Sequence, residues 1–199
     1  ARSVDGAVWA SCDHYSVNGQ ADAGHVFLWT PGPQPVARVL RHTTRKPSAL
    51  SFGPGGRVLA VGNFLDARNQ AVVELWETAT GRLIDQVLVS SSEQINAVAI
   101  SPDGQFLATH DDAAQEIRVM RLTGPGGALL GQPLSGQPPI RLRSRAARVT
   151  KVAFKRPQPD QPVYRIGFST SPDRQIRAEF HLSEPDLIRL AEPAPEGAY

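Results

Sequence analysis

Cys12 and His14 stand two residues apart. On an extended strand that spacing puts a thiol and an imidazole on one face, the pairing that a nucleophile and its base would need. No acid completes a triad at a recognisable spacing, and the five histidines, His14, His25, His42, His110 and His181, are scattered. Both residues therefore read as ordinary strand or loop positions. His110, Asp111 and Asp112, joined by His14, would offer imidazole and carboxylate to a divalent ion. Without a paired ligand motif the segment reads instead as an Asp-rich inter-strand turn, because aspartate side chains hydrogen-bond their own backbone. The Gly-Pro-Gly-Gly pieces at Gly53–Gly56 and Gly124–Gly127 lack the Lys-Ser/Thr and the helix that a phosphate cradle requires, so they read as hairpin turns. No catalytic, cofactor-binding or metal-ligating residue is expected, and no cofactor.

The most distinctive charged stretch is Pro139–Arg148. Arg141, Arg143 and Arg145 alternate, so on a strand they share one face, with Arg148 just beyond. Such a cationic ladder could meet an acidic protein surface or a phosphate backbone. The plainer reading is a charged edge strand that discourages aggregation.

The elements that hold these residues must come from 199 residues with 21 Lys+Arg against 19 Asp+Glu and a formal net charge of +2. This near-balance gives little pull toward nucleic acid. The hydrophobic content of 41% suits one ordinary soluble domain, and 17 glycines with 17 prolines imply many turns. A single cysteine excludes a disulfide framework within the chain and a Cys-based zinc cluster. No apolar run approaches the roughly 18 residues that span a bilayer, and the N-terminal residues lack the basic-then-apolar order of a signal peptide. These features point to a cytoplasmic protein without membrane contact.

An internal repeat organises the chain. Ala49–Ala60 matches Ala97–Ala108 at an offset of 48 residues, each an alternating strand, a turn containing Pro and Gly, and a second strand. Ser3–Ala10 matches the later part of that unit without its preceding strand, so the chain begins inside a repeat. A weaker copy runs over Val149–Phe154 and Val163–Ser169, with a longer Pro-rich turn between. Third strands of period two follow at His25–Thr30, Val73–Glu77, Glu116–Arg121 and Gln175–Phe180. Fourth stretches follow at Val36–Leu40, Leu83–Leu88 and, more loosely, Ala128–Leu130. Pro185–Leu190 is either a short fourth strand or a docking helix. Four short strands per roughly 45–50 residues is the signature of a propeller blade.

In these features the chain resembles the WD-repeat β-propeller family, of bacterial type. Trp29 with Thr30 and Trp76 with Glu77 stand where that family has its Trp-Asp pair, and Met120 and Glu179 fill the slot in the degenerate copies. Asp173 alone matches the family's turn aspartate in register, and Arg41-His42 partly matches its Gly-His pair. The resemblance implies an all-β propeller of four-stranded antiparallel blades. About four are expected here, a partial or half propeller, over residues 1–45, 46–93, 94–148 and 149–191, with a flexible tail over 192–199. Trp29 and Trp76 are expected in the core between blades, and His42 and Asp173 as structural blade positions.

WD-repeat propellers usually close with more blades than four, and open ends expose strand edges. The chain is therefore expected to be half of a larger propeller, with a two-fold eight-bladed ring and a small closed ring as alternatives. Residues Ser183–Ala191 resemble the exit segment of bacterial WD-repeat regions fused to signalling ATPases, proteases or kinases, which implies the C-terminal part of a multidomain protein. The expected function is non-enzymatic protein binding, as a scaffold or sensor module whose partners include the rest of its own propeller or a second copy. Arg141, Arg143, Arg145 and Arg148, the insertion Asp13–Gly24 and the loop Asn63–Ala71 are the candidate surfaces. The alternatives are a propeller hydrolase or lyase with a channel-mouth site from His14, His110 and neighbouring aspartates, and nucleic-acid binding through Arg141–Arg148.

Overall fold

The computed structural model describes residues 1–17, 20–40, 46–63, 71–90, 95–111, 115–122, 140–143, 149, 151–155, 165–171, 174–183 and 187–190. Within them the chain forms fifteen strands, no α-helix and a single 3-10 turn at Pro54–Gly56. Four antiparallel sheets follow in chain order. Blade 1 holds β1 (Trp9–Val17), β2 (Gln20–Thr30) and β3 (Val36–Leu40). Blade 2 holds β4 (Pro47–Phe52), β5 (Val58–Asn63), β6 (Ala71–Glu77) and β7 (Arg82–Ser90). Blade 3 holds β8 (Ile95–Ile100), β9 (Phe106–Asp111), β10 (Glu116–Arg121) and β11 (Ile140–Arg143), and blade 4 holds β12 (Lys151–Lys155), β13 (Arg165–Ser171), β14 (Arg174–Ser183) and β15 (Leu187–Leu190). Within each blade every strand pairs with the next in sequence, which is the meander that the repeat implies.

Strand alternation explains how the sheets stack, because odd and even residues serve opposite faces. Ala10, Val26 and Leu28 of blade 1 pack on Leu59, Val61 and Trp76 of blade 2. On its other face blade 2 sends Ala60, Val73, Leu75 and Val87 against Ile95, Val98, Ile100 and Leu107 of blade 3. Blade 3 in turn sends Ala99, Ala108, Ile117 and Val119 against Val152, Ile166 and Phe168 of blade 4. Four blades thus have three seams. Among the described residues, no buried cluster joins blade 1 to blade 4. Polar pins cross the second seam: the Ser51 hydroxyl accepts from the Ile100 amide at 3.1 Å, and the Arg118 guanidinium donates to the Val89 carbonyl.

The turn between first and second strands is built twice in the same way. The Ser101 hydroxyl donates to the Asp103 carboxylate at 2.5 Å and accepts from the Phe106 amide at 2.9 Å, while the Gln105 amide donates to Asp103 at 3.0 Å. Ser3, Asp5, Ala7 and Val8 repeat these bonds at 2.6, 3.0 and 3.0 Å. The Ser3 hydroxyl and the Ala7 amide hold the Asp5 carboxyl below the usual carboxylate range. Gly6 and Gly104 close the two turns at φ +72° and +76°, a left-handed conformation that only glycine adopts without strain.

Four expectations change on folding. The fourth strand of blade 3 is Ile140–Arg143, because those residues pair with β10, whereas Ala128–Leu130 lies outside the described residues. His110 and Asp111 end strand β9 rather than forming a turn, and the His110 side chain is fully buried. Asp112 lies outside the described residues. Ala178, not Glu179, takes the register position that Trp76 holds in blade 2: Ile166 pairs with Ala178 as Leu59 pairs with Trp76. A one-residue slip exchanges the faces of a strand, and the register shift between Ser169 and Ser171 is invisible in the sequence. Trp29 is only half-buried on the outward face of blade 1, because the seam with blade 2 uses the opposite residues, Val26 and Leu28. The alternative left open for Pro185–Leu190 resolves as a strand, with Leu187–Leu190 paired to β14.

Replacing Ser101 by alanine removes one donor and one acceptor from a fully buried turn position. The expected cost is about 1–2 kcal/mol, read as a fall in Tm of roughly 2–8 °C by calorimetry. An unchanged Tm would show that the turn does not depend on this hydroxyl.

Candidate functional site

Cys12 lies on β1 and packs, half-buried, against the seam between blades 1 and 2. Burial pushes its thiol above the ordinary range, the Asp13 carboxylate acts in the same sense, and the terminal amine opposes both more weakly than burial. A raised thiol is a poor nucleophile near neutral pH, since the thiolate is the reactive form. The His14 side chain lies outside the described residues. His110 belongs to blade 3, with blade 2 stacked between it and β1, so β1 and His110 stand on separate sheets. Among the described residues, no group of three or more His, Cys, Asp or Glu is placed to hold a metal ion.

The expected insertion Asp13–Gly24 is instead two paired strands. β1 and β2 run 9 and 11 residues, against 6 and 7 for β5 and β6. Their pairing continues from Asp13–His25 to Val17–Gln20, while β3 pairs only with Val26–Thr30, so the hairpin projects past its own sheet. Its base is pinned. The His25 amide donates to the Asp13 carboxylate at 2.9 Å, and a Cβ on Gly24 would lie 2.4 Å from the Asp13 carbonyl oxygen and 2.5 Å from Pro47 Cδ of blade 2. Only glycine lets β2 approach so closely there. Residues 64–70, the body of the expected loop Asn63–Ala71, lie outside the described residues, between the end of β5 and the start of β6.

Arg141 and Arg143 sit on β11, the outermost strand of blade 3. Register sets Arg143 opposite Glu116, an opposite-charge pair, and Arg141 opposite Arg118. Arg145 and Arg148, like His42 and Asp173, lie outside the described residues.

The two tryptophans at matching repeat positions are placed differently. Trp76 is 5% exposed and its indole N–H donates to Glu74, which is itself fully buried and also accepts from Gln86, each at 3.3 Å. Trp29 donates to the Ser11 hydroxyl at 2.9 Å on the outward face, opposite Trp9 in the register. Sequence reading missed Glu74, because a charged residue two before the tryptophan looks solvent-facing. Its signal was parity with Trp76. Arg38 was missed as well: from β3 it donates to the Ala79 carbonyl at 2.8 Å and to the Thr78 carbonyl, tying blade 1 to a turn of blade 2. That turn borders a cavity of about 960 Å³ between the turns of blades 1, 2 and 3. The acids that reach it are engaged within their own turns, Asp103 with Ser101 and Glu77 with Thr80.

Four antiparallel blades stacked face to face define a segment of a β-propeller. No protein-family model and no curated protein sequence matches the chain. Solved propellers do match by shape. The Hsv2 protein of Kluyveromyces lactis superposes with a TM-score of 0.59 at 13% identity, covering 85% of this chain and 55% of its own. The Cps50 (Swd1) β-propeller domain of Myceliophteria thermophila gives 0.54 at 15% identity, covering 87% and 56%. The chain therefore shares the propeller fold and spans little more than half the length of these solved propellers.

The placement of Cys12 has a direct consequence. Alkylation by iodoacetamide at pH 8 is expected to be slower than that of a free thiol in the unfolded chain, and to accelerate only above the ordinary thiol range, as followed by mass spectrometry across pH. Equal or faster reaction of the folded protein would mean an activated thiol.

Proposed function

We propose that this chain is a non-enzymatic propeller segment that binds protein, acting as a scaffold or sensor module of a larger cytoplasmic protein of bacterial signalling type. The observation that carries the reading is the β1–β2 hairpin, whose pairing runs on past the strand that β3 covers. A sheet scaffold that carries a paired hairpin beyond its edge is suited to recognition, because paired strands lose less ordering entropy on binding than a free loop. The edge strand β11 carries Arg141 and Arg143, followed in sequence by Arg145 and Arg148, a cationic stretch suited to an acidic protein partner. The partners include the rest of its own propeller or a second copy.

The placement of β1 and His110 on separate sheets weighs against the hydrolase or lyase alternative. Nucleic-acid binding through Arg141–Arg148 is the other alternative, and it would show an affinity falling steeply with salt.

Shortening the hairpin tests the reading. With residues 14–23 replaced by an Asn-Gly turn, the chain is expected to keep its fold by circular dichroism and to lose saturable binding of the partner that the full chain retains. Turnover of ester or glycosidic substrates, or stoichiometric metal uptake, by the unmodified chain would overturn it. The double substitution Arg141→Ser with Arg143→Ser is expected to weaken binding of an acidic partner by roughly two- to thirtyfold, measured by calorimetric titration, and to reduce its salt dependence. Unaltered affinity would remove β11 from the binding surface.

A further inference from the structure

The turn between first and second strands is described in three blades at one end of the stack, and the middle copy differs in chemistry from its neighbours. Ser3, Gly53 and Ser101 hold the same place, each amide donating to the carbonyl five residues on, at 2.9, 2.8 and 2.9 Å. Blades 1 and 3 fill the turn with the serine hydroxyl and the carboxylate of Asp5 or Asp103. Blade 2 has Gly53 and Gly55 at these positions, and Arg57 where blades 1 and 3 have Ala7 and Gln105. Crowding does not impose the exchange at Gly53, since a Cβ there would lie 3.5 Å from Ile100 Cδ1, an ordinary contact. A Cβ on Gly55 would meet only Arg57 Cγ, at 4.0 Å. The stripped turn borders the cavity of about 960 Å³.

Leu28, Ile84, Ile100 and Leu122 line that cavity with apolar surface, and Val36, which also borders it, is 65% exposed. Its charged groups are not equivalent. Asp103 accepts from Ser101 and from the Gln105 amide, and Glu77 accepts from Thr80 with Arg82 3.9 Å away. Arg38 donates to the Thr78 and Ala79 carbonyls. Arg57 is exposed, and among the described residues its guanidinium has no acceptor. Its backbone is nevertheless fixed, because the Thr78 amide and hydroxyl both donate to the Arg57 carbonyl, at 2.9 and 3.1 Å. An anchored backbone, one unengaged guanidinium and an apolar recess suit a single negative charge carried on a hydrophobic body.

We infer that this cavity binds a small monocarboxylate with an apolar body, of the size of an aryl or medium-chain acid. Arg57 takes the carboxylate through its planar fork, and Leu28, Ile84, Ile100 and Leu122 receive the body. One available guanidinium matches one charge, whereas the second charge of a phosphate ester would enter without a partner. The turns also offer little to an extended peptide. The amides of Gly53, Gly56, Thr78, Gly81 and Gly104 already donate to carbonyls of the chain, so a peptide backbone would leave water there without gaining partners. The site goes beyond the protein-binding reading and does not rest on it. β1 leads away from the Ser3–Val8 turn toward the hairpin, so cavity and hairpin stand at opposite ends of blade 1.

Calorimetric titration of the full chain with naphthalene-2-carboxylate, and with decanoate as a second probe, tests the inference. Saturable binding of one molecule per chain is expected. Naphthalene-2-carboxamide, which keeps the shape and loses the charge, is expected to bind about tenfold more weakly or worse. Arg57→Gln, an exposed change that leaves the backbone bonds of Thr78 in place, is expected to weaken carboxylate binding by about tenfold or more. Converting the turn to that of blade 3, by Gly53→Ser, Gly55→Asp and Arg57→Gln together, is expected to keep the fold by circular dichroism and to abolish binding. Failure of both carboxylates to bind would overturn the proposal, as would equal binding of the amide or undiminished binding by folded Arg57→Gln. Tighter binding of inorganic phosphate, or of the tetrapeptide Gly-Gly-Gly-Leu, would overturn it in favour of a phosphate or peptide site. Partner binding through the hairpin is read in a separate titration, so the two readings fail independently.

Discussion

A mostly aliphatic sheet has two faces to take out of water, and among the described residues the buried faces are those that stack on a neighbouring blade. The seams are therefore the interaction on which the rest of the molecule depends. The hydrogen-bonded ladders set the spacing within a blade, but a lone meander of short strands has too little buried surface to offset its conformational entropy. Leu59, Leu107 and Ile117, all fully buried, show where that surface comes from. Each contributes to a seam between blades, so neighbouring blades stabilise one another as repeats do.

Polar groups within the seams are managed locally. The Trp76 indole would be costly to bury without a partner, and Glu74, two residues earlier on the same face, accepts its hydrogen bond while accepting another from Gln86. Arg118 reaches across the second seam to the Val89 carbonyl, and Arg38 reaches from blade 1 to the turn after β6. These bonds fix how neighbouring blades sit, which the non-directional packing of valine and leucine does not do alone. The Ser-Asp-Gly turns serve a comparable purpose at the blade ends, where an internal bond network holds the reversal without help from a neighbour.

The same constraint separates structural surface from functional surface. Residues at seam positions are explained by stacking, including Cys12, whose burial accounts for its raised thiol. What stacking leaves unexplained is the length of β1 and β2, the arginines on the outer edge of β11, and the aromatic face of blade 1. Gly24 lets the base of that hairpin approach Pro47 of blade 2 closely.

The repeat, its four-strand order and most strand positions were legible in the sequence, because period-two alternation and turn residues are local signals. β3 and β10 fall where alternation puts them. Which face each residue serves was not legible where a bulge intervened: the shift after Ser169 moves Ala178 rather than Glu179 into the tryptophan slot. Nor was the long connection that carries the fourth strand of blade 3 to Ile140–Arg143, since pairing with β10 is a contact between residues far apart in the chain. The two tryptophans make the same point. Identical residue types in matching repeats take different environments, Trp76 inside a seam and Trp29 on an open face, because burial depends on whether another sheet lies beyond, and only the tertiary stacking of blades decides that.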